Sequence, residues 1–380
     1  MMKDLGNNKK LVYILNYVHQ SDVQHFVHVM ALLKYLEVHH GWDIALLSEK
    51  GGSGVQVVNG VKVRYLSNNG KVSRLMSMTW SLWRLRREGY KLIFVRISKP
   101  AAIVSSLCGK LFGMKTMYWL SGAVYDFDRM KPVVRRVAGD LSMYAVKSLI
   151  DRFVTGPESM VEYYVKNYRV SKEKMVLLYN DINLDRFHCS RAGKKRGGVV
   201  KVLFVHRLSP VRRAPYYMPY IISGLNEVVR SGVNVELNIV GDGAERQAVS
   251  NIIKEACEGL SVIMHGSIPN AELPRYYLDS DVFIMPSYRE GMPRALMEAM
   301  AMGLPAVSTD AGGTLDIVGP LQRKFVVARD DPEAFSRCLV DLAMKEQERT
   351  KVGEENLEHI KRYSTPVVAD MYDRVLSSLV

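Results

Sequence analysis

The chain is predicted to fold as an α/β protein with two Rossmann-like domains, and three observations carry that prediction. Residues 281–309 read as strand, loop, helix, tight turn and strand. Apolar runs of strand length at residues 10–15 and 199–205 each open a further α/β stretch. The length, 380 residues, favours two domains over one.

The unit 281–309 is the most informative. Residues 281–285 and 306–309 are short apolar runs of buried-strand length. Between them, residues 293–302 are rich in Ala, Leu, Met and Glu, all good helix formers. Pro293 suits the first helical position, where its missing N–H is no loss. Gly303 suits the left-handed stop, with Pro305 just beyond it. The loop 287–292 thus lies at the carboxyl end of a strand, where open α/β sheets bind ligands. The helix N-terminus offers unpaired N–H groups to a phosphate, and Gly291 lets a ligand approach the backbone. Glu290 on the loop and Glu298 on the helix are acceptor-only carboxylates, each able to take hydrogen bonds from a pair of sugar hydroxyls. As a lone pair they describe a solvated loop residue and a surface helix residue just as simply.

From the start of the chain, residues 10–15 are a strand, 16–24 a loop, a helix runs to about residue 39, and 42–47 are a second strand. Residues 61–66 and 92–97 are further strands. Between them, 73–87 reads as a helix whose apolar face is too broad for a clean surface helix. Burial against the sheet is its first reading. The second is a membrane headgroup layer, because Trp80 and Trp83 precede Arg84, Arg86, Arg87 and Lys91. Residues 117–120 are strand-like, and basic residues crowd 129–136.

The second half begins after a basic, glycine-bearing linker at 191–198. Arg207 and Arg212 follow the strand 199–205, where two cations can neutralise a leaving diphosphate; a solvated basic turn would look the same. Residues 235–240 are a strand, and Gly241-Asp-Gly243 opens a helix 244–256. This is no full dinucleotide fingerprint, since position 246 is Arg. Residues 262–266 are a strand and turn, 271–278 a helix, 332–346 a surface helix and 366–379 a closing helix.

At 48% hydrophobic and 24% charged, the composition is ordinary for a globular protein. No apolar run approaches a membrane span, and 11–15 is too short for a signal peptide. Cys108, Cys189, Cys257 and Cys338 are far apart and lack metal spacing, which suggests reduced, mostly buried thiols in a cytosolic protein. No clear carboxylate or cysteine set accompanies His19, His25 and His28, so no metal site is expected there. The net charge of +13 is uneven: residues 1–190 hold 28 Lys and Arg against 15 Asp and Glu, whereas 191–380 hold 24 of each. Such asymmetry suits an anionic partner of the first half, or simply a soluble basic surface. No nucleic-acid motif accompanies it, so an anionic membrane surface is favoured over nucleic acid.

Glu290-x7-Glu298, with Pro286-Ser upstream, Glu298-Ala-Met-Ala-Met-Gly-Leu-Pro in the middle and Gly312-Gly313 downstream, resembles the signature of glycosyltransferase family 4. His206-Arg-Leu-Ser-Pro-Val-Arg-Arg213 resembles that family's Gly-Arg-Leu-x-x-x-Lys-Gly, with Arg207 matching and Arg212 in the lysine's place. The resemblance implies a GT-B fold, two Rossmann-like domains facing across a cleft: residues 1–190, with a closing helix in 366–380 packing back on them, and 198–365. It also implies a retaining, metal-independent hexosyl transfer from a nucleoside-diphosphate sugar, UDP- or GDP-linked, to a glycan or lipid-linked acceptor. The sugar nucleotide is a substrate, and no cofactor is expected. From the cysteines and the basic first half, the expected location is cytoplasmic, peripheral on the cytoplasmic face of the membrane.

By the same resemblance, Glu290 binds donor-sugar hydroxyls and Glu298 the ribose. Arg207 and Arg212, with backbone near Gly291, Met292 and Pro293, hold the leaving diphosphate. Gly243, Ser267 and Ile268 border the nucleotide. The acceptor side is less complete. The family's Gly-Gly pair is missing from the loop holding His19, and its His-Gly is Ser121-Gly122 here. Asn180 and Phe187 match a further segment in which Tyr179 and Asp181 replace Pro and Gly. These departures leave open a sugar-nucleotide epimerase of the same fold, or a degenerate nucleotide- or membrane-binding scaffold.

Overall fold

The computed structural model describes residues 9–18, 26–67, 69–120, 122, 132–188, 198–210, 214–256 and 259–380. The chain divides into two compact units, Met1–Asp181 with Thr365–Val380, and Ile182–Ser364.

The first unit holds β1 Lys10–Leu15, β2 Asp43–Ser48, β3 Val55–Val58, β4 Val61–Tyr65, β5 Leu92–Arg96, β6 Lys115–Trp119, β7 Arg152–Thr155 and β8 Met175–Leu177. They form one sheet in the order β3-β4-β2-β1-β5-β6-β7-β8, parallel except for the β3–β4 hairpin. Its helices are α1 Val27–His40, α2 Lys71–Arg87, α3 Lys99–Phe112, α4 Val133–Leu149 and α5 Glu158–Tyr168. Central strands covered on both faces are mostly apolar. Strand β5 is buried along its whole length, with only Arg96 polar, at its carboxyl end, where it donates to Asn180 at 2.9 Å. One core lies under α1, where Val29, Leu33 and Leu36 meet Tyr13 and Phe94. The other lies under α2 to α5, where Met78, Leu82, Val146 and Tyr164 meet Val12, Ile93 and Tyr118.

The second unit holds β9 Val199–Val205, β10 Asn234–Val240, β11 Ser261–Gly266, β12 Val282–Met285, β13 Ala306–Thr309 and β14 Val326–Val327. The sheet is parallel, in the order β11-β10-β9-β12-β13-β14. Its helices are α6 Ala214–Arg230, α7 Arg246–Ala256, α8 Leu273–Leu278, α9 Arg294–Ala301, α10 Thr314–Ile317, α11 Pro320–Arg323, α12 Pro332–Met344 and α13 Glu346–His359. Tyr217, Ile221 and Leu225 of α6 and Phe335 and Leu339 of α12 bury the sheet. At the β13 edge, the Gln322 side chain donates to the Ala306 carbonyl at 2.6 Å and accepts from its N–H at 2.9 Å. Asn356 of α13 donates to Gln322 Oε1 at 2.9 Å, and Glu355 caps the N–H groups of Leu321 and Gln322 at 3.0 Å.

The last helix, α14 Thr365–Ser377, belongs to the first unit. Val368, Tyr372 and Leu376 join the core under α1. Asp373 accepts from Trp42 Nε1 at 2.7 Å and from Lys9 Nζ at 2.8 Å. The division falls after Asp181, earlier than residue 190. Ile182 donates its N–H to the Tyr363 carbonyl at 2.8 Å, and Phe187 packs on Tyr277 at 6.1 Å, which ties 182–188 into the second unit.

Three sequence expectations need correction. Pro293 is the cap residue, with φ −73° and ψ 106°, and Arg294 is the first helical residue. Helix α2 is buried only in part. At about 100° per residue, Met78, Leu82 and Leu85 face the sheet, while Trp80 and Trp83 point to solvent, 55% and 42% exposed. Cys338 is only partly buried, unlike Cys108; Cys189 and Cys257 lie outside the described residues. Among the described residues, no helix is long and apolar enough to cross a membrane.

Candidate functional site

In the second unit, β9 and β12 lie side by side. The chain runs from β9 outward to β10 and β11, and from β12 the opposite way to β13 and β14. This is a topological switch point, and ligands of open α/β sheets bind beyond the carboxyl ends of the two strands that flank it. Arg207 follows β9 directly and is exposed. Residues 287–293 follow β12. The two expected functions, a cation for phosphate and a carboxylate for hydroxyls, therefore come from the two strands at the switch.

The loop after β12 is clamped through its backbone. Thr309 Oγ1 donates to the Ser287 carbonyl. Ser287 Oγ lies 3.5 Å from His206 Nε2, both residues being buried, and the His206 ring stacks on Phe204 at 4.8 Å. The Gly313 N–H donates to the Gly291 carbonyl at 2.7 Å. Gly312 has φ 57°, and a Cβ there would sit 2.1 Å from the Glu290 carbonyl oxygen. Only glycine combines this left-handed backbone with so close an approach. The Glu290 main chain is thus held in place, and the residue is 8% exposed. Met292 and Pro293 are buried beside it and Gly291 is half-buried.

Glu298 sits one turn into α9 with its side chain 13% exposed. Tyr277 Oη donates to it at 3.0 Å, and Arg294 Nη2 lies 3.7 Å away. Burial raises its pKa, against the opposing pull of Arg294, the Tyr277 hydrogen bond and Arg186. Burial also lowers the pKa of Arg186. Glu298 is therefore part of an internal network and not the plain surface carboxylate that sequence alone allows. Sequence reasoning did not single out Arg186, Tyr277 or Arg294; the i, i+4 spacing of Arg294 and Glu298 was the available signal.

The raised pKa has a testable consequence. A carboxyl whose folded-state pKa lies above its unfolded value favours folding fully below the unfolded value, about 4.3, and that contribution is lost as pH rises through the folded pKa. Glu298→Gln removes the term. The melting temperature of the variant minus that of the wild type should therefore rise from about pH 4 to pH 7. A flat difference measured by differential scanning fluorimetry would mean that Glu298 carries no such penalty.

Gly243 supports the site from behind. A Cβ there would lie 2.0 Å from the Leu208 carbonyl oxygen, and the Leu208 N–H donates to the Asp242 carbonyl at 3.1 Å. The glycine lets the loop after β10 pack on the loop that carries Arg207. The Gly241 N–H in turn donates to the Gly266 carbonyl at 2.7 Å, which joins the end of β11. Ser267 is exposed and Ile268 half-buried just beyond it. The structure so gathers Glu290, Gly291, Met292, Pro293, Glu298, Arg207, Gly243, Ser267 and Ile268 into one unit. Arg212, Ser121 and His19 lie outside the described residues. Gly122 belongs to the first unit, where its carbonyl accepts from Tyr164 Oη at 2.9 Å. Among the described residues, no group of three or more His, Cys, Asp or Glu is placed to hold a metal ion.

Comparison with known proteins bears on this unit directly. Residues 187–359 match the family model for glycosyl transferases group 1. A D-inositol 3-phosphate glycosyltransferase of Streptomyces avermitilis is 23% identical over 68% of this chain and 58% of its own length. A UDP-Gal:alpha-D-GlcNAc-diphosphoundecaprenol alpha-1,3-galactosyltransferase of Escherichia coli is 26% identical over 79% of both chains. Matches to the first curated relatives span less than two thirds of those proteins' own length. The solved structure of Anabaena Alr3699/HepE in complex with UDP-glucose covers 97% of this chain and 100% of that one, at 15% identity and a TM-score of 0.74. That likeness establishes the fold, the GT-B architecture of two Rossmann-like units. The resemblance to the group 1 glycosyl transferases thus rests on residues 187–359, most of the second unit.

Proposed function

We propose that the protein is a retaining glycosyltransferase of family 4 that moves a hexose from a nucleoside-diphosphate sugar to a lipid-linked or growing cell-surface glycan. The observation that carries this reading is the backbone-clamped Glu290 after β12 beside the exposed Arg207 after β9, both at the switch point. Glu290 accepts hydrogen bonds from the donor sugar's hydroxyls. Glu298, poised by Tyr277 and Arg294, takes the ribose. Arg207 and the N-terminus of α9 meet the negative charge that grows on the diphosphate as the sugar leaves. Arg212 adds a second cation in this reading. The C1–oxygen bond to the diphosphate breaks while the acceptor oxygen bonds to C1 on the same face, and the acceptor's proton passes to the departing phosphate oxygen. These groups meet the diphosphate charge without a metal ion.

A neighbour in fold is known in complex with UDP-glucose, and a relative is named for UDP-Gal and a diphosphoundecaprenol-linked sugar. The first supports a UDP-sugar donor, and the second supports a UDP-sugar donor with a lipid-linked acceptor; in this reading the enzyme works on the cytoplasmic face of a membrane. The leaving-group assignment is tested by Arg207→Ala. A lost charge-assisted contact costs about 1.5–3 kcal/mol, so affinity for the free nucleoside diphosphate should fall roughly 10- to 150-fold. Affinity for the bare nucleoside should barely change. Equal losses for both would place Arg207 in the fold and not on phosphate. Release of free epimerised donor with no transfer would replace this reading with an epimerase.

A further inference from the structure

The first unit carries an apolar surface that its own core does not use. Val72, Met76, Trp80 and Trp83 of α2 are exposed at helical spacing, forming one stripe on the face opposite Met78, Leu82 and Leu85. Helix α4 repeats the arrangement with Val133, Val137, Leu141 and Tyr144 outward, and Met143 and Val146 inward. Helix α3 packs against both and adds exposed Leu107 and Leu111. Single exposed apolar residues are ordinary, whereas contiguous ones mark an interaction surface.

Charge decides the occupant. Neither α2 nor α3 contains an acidic residue, and α4 contains only Asp140. Glu88, just past the end of α2, pairs with Arg84 at 2.9 Å; among the described residues, no carboxylate pairs with Arg87 or Lys147. Arg84 lies over the Trp80 ring at 5.9 Å, Arg87 over Trp83 at 5.0 Å and Lys147 over Tyr144 at 5.4 Å. Between α4 and the end of α5, an open hollow of about 500 Å³ is lined by Val137, Leu141, Tyr144, Lys147 and Arg169, with Asp140 at its side. Two copies of so basic a face would repel each other. We infer that α2, α3 and α4 form one docking face for an anionic lipid bilayer. The aliphatic and indole groups enter the headgroup layer, while the arginines and lysines meet lipid phosphates. This deepens the membrane location proposed above without needing the transfer chemistry.

The test is co-sedimentation of the full chain with vesicles. Wild type should pellet with mixed phosphatidylglycerol–phosphatidylcholine vesicles, stay in solution with phosphatidylcholine alone, and release at about 1 M salt, where screening acts within about 3 Å. Arg84→Glu with Arg87→Glu, and separately Trp80→Ser with Trp83→Ser, should each lower vesicle binding at least about tenfold. Leu315→Asp, at an exposed site of the second unit, should change nothing. All four altered face positions are at least partly exposed, and unchanged melting temperatures would confirm folding. Wild type that ignores anionic vesicles, or face variants that bind as well as wild type, would overturn the inference. So would light scattering that finds a dimer dispersed by Leu141→Asp, which would assign the face to a second copy. Glu290→Gln should bind vesicles normally, so failure of the transfer reading and failure of the docking face are separable.

Discussion

Replacing Glu290 by Gln is expected to cut turnover with a sugar nucleotide at least about tenfold, equivalent to about 1.4 kcal/mol of barrier, while nucleoside-diphosphate binding survives. Gln keeps the shape and one acceptor oxygen. It loses the charge, and hydrogen bonds to an ionised acceptor are roughly twice as strong as neutral ones. It also points an NH₂ group at hydroxyls that need acceptors. The Glu290 main chain is pinned by the Gly313–Gly291 hydrogen bond and the Gly312 contact, so the loop has little freedom to re-aim a poorer side chain. Release of nucleoside diphosphate measures turnover, and calorimetry measures binding. Unchanged turnover would remove Glu290 from the mechanism. A parallel fall in binding and melting temperature would show that the substitution disturbs the loop instead.

Gly312→Ala should be more damaging, through the backbone alone. The added methyl meets the Glu290 carbonyl oxygen at 2.1 Å and the Gly291 oxygen at 2.9 Å, and φ is 57°. Left-handed strain in a non-glycine residue costs on the order of 1–3 kcal/mol, and the collision displaces the peptide that positions Glu290. Turnover should fall well beyond that of Glu290→Gln. Gly259→Ala is the control: its φ is 77°, but nothing lies within 4 Å of the new methyl. It should lower the melting temperature and spare turnover. Equal activity losses in the two variants would mean that strain, and not the contact with Glu290, governs the outcome.

The site was legible where its chemistry is local. Strand β12, the loop after it, helix α9 and strand β13 follow one another within about thirty residues, and each has its own propensity or stop signal. What escaped was contributed by distance. Tyr277 and Arg186 act on Glu298 from other elements; nothing around Tyr277 marks it, and the segment holding Arg186 draws notice only for Asn180 and Phe187. Gly243 reads as a weak phosphate-loop signal, yet its close contact is with the Leu208 main chain. Helix α6 was hidden by Pro219 in its interior, a residue that usually argues against a helix. Helix α4 went unread because residues 129–136 draw notice for their charge alone, and Arg135 and Arg136 stand in its first turn. In α2, by contrast, apolar residues stand on both the inward and the outward face, and that breadth made Trp80 and Trp83 look buried.

The Gln322 side chain has a consequence for how this protein keeps to itself. Strand β14 is only two residues long and pairs with Ser308 and Thr309, so the start of β13 lies beyond its reach. An open strand edge is a template on which another chain can add, the first step of sheet-to-sheet aggregation. At Ala306 the template is already occupied: one side-chain amide supplies the donor and the acceptor that a neighbouring strand would bring. Asn356 and Glu355 hold that amide and its helix in place, so the blunted edge is a property of the fold's last helical layer and needs no partner to maintain it.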